Sequence, residues 1–121
     1  MPSFSKKSRE RLNTCHPKLR EICEELIKHK DFVVICGHRG EAEQNDCFDR
    51  GVSKLRFPKS KHNQLPSLAV DLAPYPINWN DIESFKELSK AFKIIAAEKG
   101  IDVSSGADWK SFVDYPHYEL I

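Results

Sequence analysis

The stretch KSKHNQLPSLAVDLAPYP, residues 59–76, constrains the fold more than any other part of the chain, because it sets an aspartate inside an apolar run. LAVDL alternates as a strand over 68–72, with Val70 and Leu72 on one face and Ala69 and Asp71 on the other. A sheet built on this strand has an apolar face for the core and an opposite face carrying a carboxylate. A carboxylate taken out of water must be ion-paired, hydrogen-bonded or metal-bound. His62 stands nine positions before Asp71, across a Pro66–Ser67 turn. Both are metal-ligand residue types. Taken alone, His62 reads equally simply as an exposed loop residue and Asp71 as a satisfied structural carboxylate.

The rest of the chain supplies helices around a small sheet. Residues 1–13 are polar and form a short helix or an arm. From Pro17, which suits the first helical position, Leu19, Ile22, Cys23, Leu26 and Ile27 recur at helix-face spacing, with Thr14 or His16 as the cap. DFVVICG (31–37) is a β-branched apolar run ended by glycine, a buried strand. A loop carrying His38 and Arg39 follows, then a short helix over 41–50 closed by Gly51, then a polar loop with Pro58 and Pro66. A long helix runs from Ile82 to Lys99, capped by Asn80 or Asp81, with Phe85, Leu88, Phe92, Ile95 and Ala96 as its stripe and Gly100 as its stop. Residues 101–103 are expected to form a strand. In the C-terminal DYPHYELI, His117 and Glu119 share one face and Tyr118 and Leu120 the other. Helices separated by short strands without a regular repeat give an α+β class, a small antiparallel sheet flanked by helices, in one domain over 1–121.

Composition excludes several functions. With 40% hydrophobic and 31% charged residues and a formal charge of +1, the chain is an ordinary globular one with no global attraction to polyanions. The basic N-terminus (Lys6, Lys7, Arg9, Arg11) reads as a solvated helix or arm rather than a nucleic-acid contact. Four cysteines without a C-x-x-C pair do not make a disulfide framework; Cys23 and Cys36 behave as small hydrophobes in apolar patterns. No stretch suits membrane insertion, and the first residues lack the apolar run of a secretory signal. The chain is therefore expected to be made in a reducing cytoplasm and to act as a monomer.

A catalytic zinc site takes three protein ligands and leaves one position open. His62, Asp71 and His117 would supply two histidines and one carboxylate. Such a site also needs a base within reach of the attacking water. Asp114, three residues before His117, and Glu119, two after it, are both candidates; the other would orient a ligand. Trp79 and Trp109 read as packing or rim residues, or as a sugar-stacking platform. His38 and Tyr115 read as solvent-facing and packing residues, or as contacts to a substrate.

Together, S-x-H (Ser60–His62), A-x-D (Ala69–Asp71), Trp109 and D-x-x-H-x-E-L (Asp114–Leu120) resemble the zinc peptidases grouped with D-alanyl-D-alanine carboxypeptidases and the hedgehog fold. The pattern is most similar to the small bacteriophage endolysin type, which includes L-alanyl-D-glutamate endopeptidases. The likeness extends over GHRGEAEQNDCFDRGVSK and INWNDIESF, so it spans roughly residues 30–121. It implies a hedgehog/D,D-peptidase-like fold, Zn2+ on His62, Asp71 and His117, Asp114 as acid/base and Arg39 as a cation for the substrate carbonyl or its oxyanion. It further implies Gln44 and Ser60 near the substrate and Glu119 behind a ligand. The wider His62–Asp71 spacing here departs from the usual pattern and bears on loop shape and substrate choice.

The resemblance implies hydrolysis of the peptidoglycan stem peptide, with a cytoplasmic enzyme reaching the wall through a pore formed by another protein. Two other functions fit the same residues. A D,D-carboxypeptidase would release free D-alanine. A non-catalytic, zinc-stabilised wall-binding module would have no need of Asp114 and Arg39.

Overall fold

The computed structural model describes residues 2–121. Four helices, α1 (Lys6–Leu12), α2 (Pro17–Leu26), α3 (Glu41–Asp49) and α4 (Ile82–Glu98), accompany four strands, β1 (Phe32–Cys36), β2 (Ala69–Pro74), β3 (Val103–Ser105) and β4 (His117–Leu120). The strands form one antiparallel sheet in the order β1-β2-β4-β3. The α+β expectation is met.

The alternation in β2 divides the molecule. Val70 and Leu72 join Val34, Tyr118 and Leu120 in the core, where the stripes of α2 (Leu19, Ile22, Cys23, Leu26) and α4 (Leu88, Phe92, Ile95, Ala96) cover them. Each buried leucine-sized side chain contributes about 1.5–3 kcal/mol. On the opposite face Asp71 pairs across the sheet with His117 of β4 on one side and Cys36 of β1 on the other. One face of the sheet is therefore core and the other carries the site.

The N-terminal segment is a helix from Lys6 rather than an arm. Its own sequence does little to hold it; its contacts do. Leu12 is fully buried, the Ser8 hydroxyl accepts from the Val34 N–H at 3.0 Å, and Arg11 donates to the Val34 carbonyl at 3.1 Å. α1 thus occupies the free edge of β1, which would otherwise offer unpaired backbone groups. Arg9 pairs with Glu24 at 2.6 Å, so two of the four N-terminal cations are engaged within the molecule.

His16 caps α2, accepting from the Lys18 N–H, and Asp81 caps α4. The third strand lies two residues later than expected, at Val103–Ser105. Ile101 is held instead in the turn after α4, where its N–H bonds the Ala96 carbonyl and its side chain is buried. β2 continues to Pro74, opposite Phe32. Cys15, Cys23, Cys36 and Cys47 are all free thiols. No helix among the described residues is long and apolar enough to cross a membrane.

Candidate metal centre and active-site cleft

Three side chains converge above the polar face of the sheet. Asp71 and His117 arrive from adjacent strands in register. His62 comes from a single 3-10 turn, Lys61–Asn63, whose geometry is fixed by a capping box: the Ser60 hydroxyl accepts from the His62 N–H while the Asn63 side chain accepts from the Ser60 N–H. His62 is 2% exposed.

The partners of the two imidazoles settle their tautomers. His62 Nδ1 is 2.8 Å from the Gly37 carbonyl, which can only accept, so Nδ1 carries the proton. His117 Nε2 is 2.7 Å from Glu119 Oε1 and donates to it; Glu119 is held in turn by Lys61 Nζ at 3.0 Å. The remaining atoms, His62 Nε2, His117 Nδ1 and Asp71 Oδ1, lie 3.2, 3.3 and 3.3 Å apart. Neutral histidines in these tautomers aim two lone pairs and a carboxylate oxygen at one point, an arrangement that calls for a cation. Donors at the 2.0–2.1 Å bond length of a tetrahedral ion stand about 3.3 Å from one another. The triangle fits such an ion, and the carbonyl and carboxylate behind the two rings are the supports a metal-ligating histidine needs.

Without an ion the charges tell the same story. Burial disfavours imidazolium at His62, yet hydrogen bonding to Asp71 and Cys36 outweighs it and raises its pKa. Burial likewise opposes charge at His117, but the bonds to Asp71 and Glu119 raise its pKa. Burial works against ionised Asp71, and the bonds from His117 and His62 nevertheless hold its carboxyl well below the usual range. A pocket that draws protons onto its histidines is one that draws cations.

Cys36, Asp71 and His62 also offer metal-ligand atoms within 4.8 Å of one another. The Cys36 thiol is the residue that sequence reading missed. FVVIC looks uniformly apolar, and only the pairing of Cys36 with Asp71, after an irregularity between Val34 and Cys36, turns it toward the polar face.

Arg39 Nη2 donates to Asp71 Oδ2 at 3.3 Å and Nη1 to Gln44 Oε1 at 3.0 Å. Gln44 is fully buried, accepts also from Asn63 Nδ2 and donates to Ser53 Oγ at 2.9 Å. It therefore holds Arg39 and the 53–55 loop, and it is not among the residues lining the cleft. Ser60, 6% exposed, caps the His62 turn and lines the cleft. Asp114 lies in the loop before β4, with its N–H on the Gly106 carbonyl at 3.0 Å. A Cβ at Gly106 would collide with the Asp114 carbonyl, so only glycine lets this loop approach. Burial raises the Asp114 pKa first and the Asp71 charge second, against opposing contributions from His117, His62 and Arg39.

Arg39, Ser60, His62, Asp71, Asp114, His117 and Glu119 line a cleft of about 820 Å³ that also includes Trp79, Trp109, Phe112 and Lys54. Trp109 packs on His117 with ring centroids 5.1 Å apart and donates to Ser104 at 2.9 Å. His38 and Tyr115 are not among the lining residues.

A family profile described as "Phage L-alanyl-D-glutamate peptidase" matches residues 2–121. The chain belongs to the phage L-alanyl-D-glutamate peptidase family. It is 37% identical over 123 residues to the L-alanyl-D-glutamate peptidase of Escherichia phage T5, covering 97% of this chain and 88% of that protein. It is 28% identical over 124 residues to the peptidoglycan L-alanyl-D-glutamate endopeptidase CwlK of Bacillus subtilis (strain 168), covering 88% of this chain and 73% of the relative. The crystal structure of the Serratia marcescens L-Ala D-Glu endopeptidase ChiX superposes with a TM-score of 0.84 at 29% identity, covering 98% of this chain and 89% of that one. For a peptidase of this family, the cleft brings together a candidate metal triangle, a carboxylate with a raised pKa and a guanidinium.

Proposed function

We propose that this peptidase hydrolyses the L-alanyl-D-glutamate bond of the peptidoglycan stem peptide as a zinc enzyme, with residues 2–121 acting as one catalytic domain. The observation that carries the reading is the triangle of His62 Nε2, Asp71 Oδ1 and His117 Nδ1 in the cleft of a family member. We assign the ion to these three. The alternative group, with Cys36 in place of His117, is less well suited: the Cys36 thiol is already turned to the Gly37 carbonyl at 3.5 Å, whereas among the described residues His117 Nδ1 meets only His62 Nε2 and Asp71 Oδ1.

Zinc in such a site polarises a carbonyl and acidifies water. The rest falls to the side chains. Asp114 is the base: its raised pKa suits an acid/base group better than an ordinary exposed carboxylate would. It takes the proton from the attacking water as the new C–O bond forms, then gives it to the amide nitrogen as the C–N bond breaks, leaving an acid and a free amine. Arg39, fixed by Gln44 and Asp71, presents a preorganised cation to the oxyanion that develops on the carbonyl. Glu119 and Lys61 keep His117 in its ligating tautomer. The enzyme works at the cell wall and reaches it after release from the host cytoplasm.

Digestion of purified wall tests the reading. Cleavage at this bond exposes the amino group of D-glutamate as a new N-terminus. Release of free D-alanine alone would indicate carboxypeptidase action, and wall binding without any new amine would indicate a binding module.

A further inference from the structure

We infer that Trp79 is a sugar-stacking subsite, placed to bind the glycan strand next to the scissile bond. This rests on the proposed substrate. In peptidoglycan the L-alanine of the stem is joined to the sugar, so an enzyme cutting after that alanine meets a pyranose ring within one residue of the reacting carbonyl. A pyranose presents flat patches of C–H bonds edged by hydroxyls, and its complement is an exposed aromatic face with amides beside it.

Trp79 has that form. It lines the same cleft as His117 and Asp114, yet leaves 55% of its surface exposed. One face is stacked on Phe85, with centroids 5.5 Å apart and planes 22° from parallel. Phe85 is 1% exposed and anchored in α4. The indole is thus braced on one side while more than half of its surface stays open to solvent. The cleft's other large rings are engaged: Trp109 covers His117, and the Lys54 ammonium sits 4.9 Å from the Phe112 centroid. Asn78 and Asn80 flank Trp79 and are exposed. Among the described residues, their side-chain amides make one hydrogen bond, Asn78 Oδ1 accepting from the Asn80 N–H at 3.0 Å. An isolated exposed apolar residue is ordinary. A braced indole in a cleft, with an exposed asparagine before and after it in the chain, is a binding surface.

The test compares two substrates, the stem peptide attached to its disaccharide and the same peptide without sugar, using wild type, Trp79→Ala and Trp79→Phe. Trp79→Ala is expected to raise KM for the sugar-linked substrate by about three- to ten-fold, the range of a single aromatic stacking contact. It should leave kcat, and both constants for the bare peptide, unchanged, while Trp79→Phe falls between. Titration with the free disaccharide should quench the tryptophan fluorescence of wild type and not of Trp79→Phe. Equal losses on both substrates, no loss on either, or identical quenching in the two proteins would overturn the inference. The fluorescence titration does not depend on cleavage. A wild-type enzyme that cuts neither substrate but binds the disaccharide through Trp79 would therefore refute the proposed reaction and leave the subsite standing.

Discussion

Asp114, the proposed base, would serve activity at the expense of stability. Burial and the neighbouring Asp71 charge raise its pKa above the ordinary value. Its folded pKa therefore exceeds its unfolded one, so the folded state holds the proton more tightly and the charged form costs stability at any pH above the folded pKa. In metal-free protein, Asp114→Asn is expected to melt at a higher temperature than wild type at pH 7. The difference should shrink as pH falls through the folded pKa towards the unfolded value of about 3.9. The same substitution should reduce kcat of the zinc-loaded enzyme by about 10²–10⁴-fold. Melts in chelator across pH, set beside the kinetics, check both halves; a wild type that melts above the variant at neutral pH would sink the first. Gln44 carries the opposite lesson. Gln44→Ala leaves Arg39 and Asn63 without their shared acceptor, which should cost about 1–3 kcal/mol by urea unfolding. The polar residues of the site were legible where their surroundings made them anomalous, as with an aspartate among apolar neighbours. Gln44 was not, because nothing in EAEQND distinguishes a fully buried glutamine from one facing substrate. Cys36 was hidden for the converse reason, its neighbours making it look like core.

Among the elements, α2 and α4 could be read from caps and periodicity because each buries one stripe along its whole length. β3 could not be placed so well, since three residues carry no period and the neighbouring Ile101 is buried by the turn after α4. α1 is the instructive case. KKSRERL has no apolar stripe, and the helix is fixed by Leu12, buried in the core, and by Ser8 and Arg11, whose partners lie on β1. Ser8→Ala should therefore cost about 0.5–1.5 kcal/mol, and Leu12→Ala about 2–5 kcal/mol. Removing residues 2–13 should do more than lower the melting temperature, because it bares the edge of β1 to pairing with another chain. Light scattering of the truncated protein at increasing concentration measures this. A truncated protein that stays monomeric would mean that α1 does not guard the edge.

At the scale of the whole molecule, the site depends on β4 lying between β2 and β3, which puts the last strand of the chain beside the second. That order brings His117 next to Asp71 and is written nowhere locally; only the shared ligand chemistry of two distant segments hinted at it. The same long-range closure would make the proposed ion a structural tie. His62 from the 61–63 turn, Asp71 from β2 and His117 from β4 can hold one ion together only in the folded chain. Zinc should therefore stabilise the fold by mass action, by about 2.7 kcal/mol when free zinc is one hundred times Kd. The raised pKa values of His62 and His117 add a condition: in metal-free protein these rings take up protons more readily than an ordinary imidazole, and an ion must compete with those protons. Zinc binding is accordingly expected to release protons and to weaken as pH falls, so the rise in melting temperature should be large near pH 8 and small near pH 5. Melts with and without zinc across that range, paired with calorimetry in buffers of different ionisation enthalpy, read the two effects separately. His117→Ala should lose most of the zinc-dependent rise, whereas Cys36→Ala should keep it. The reverse pattern would move the ion from the His62–Asp71–His117 triangle to the group that contains Cys36.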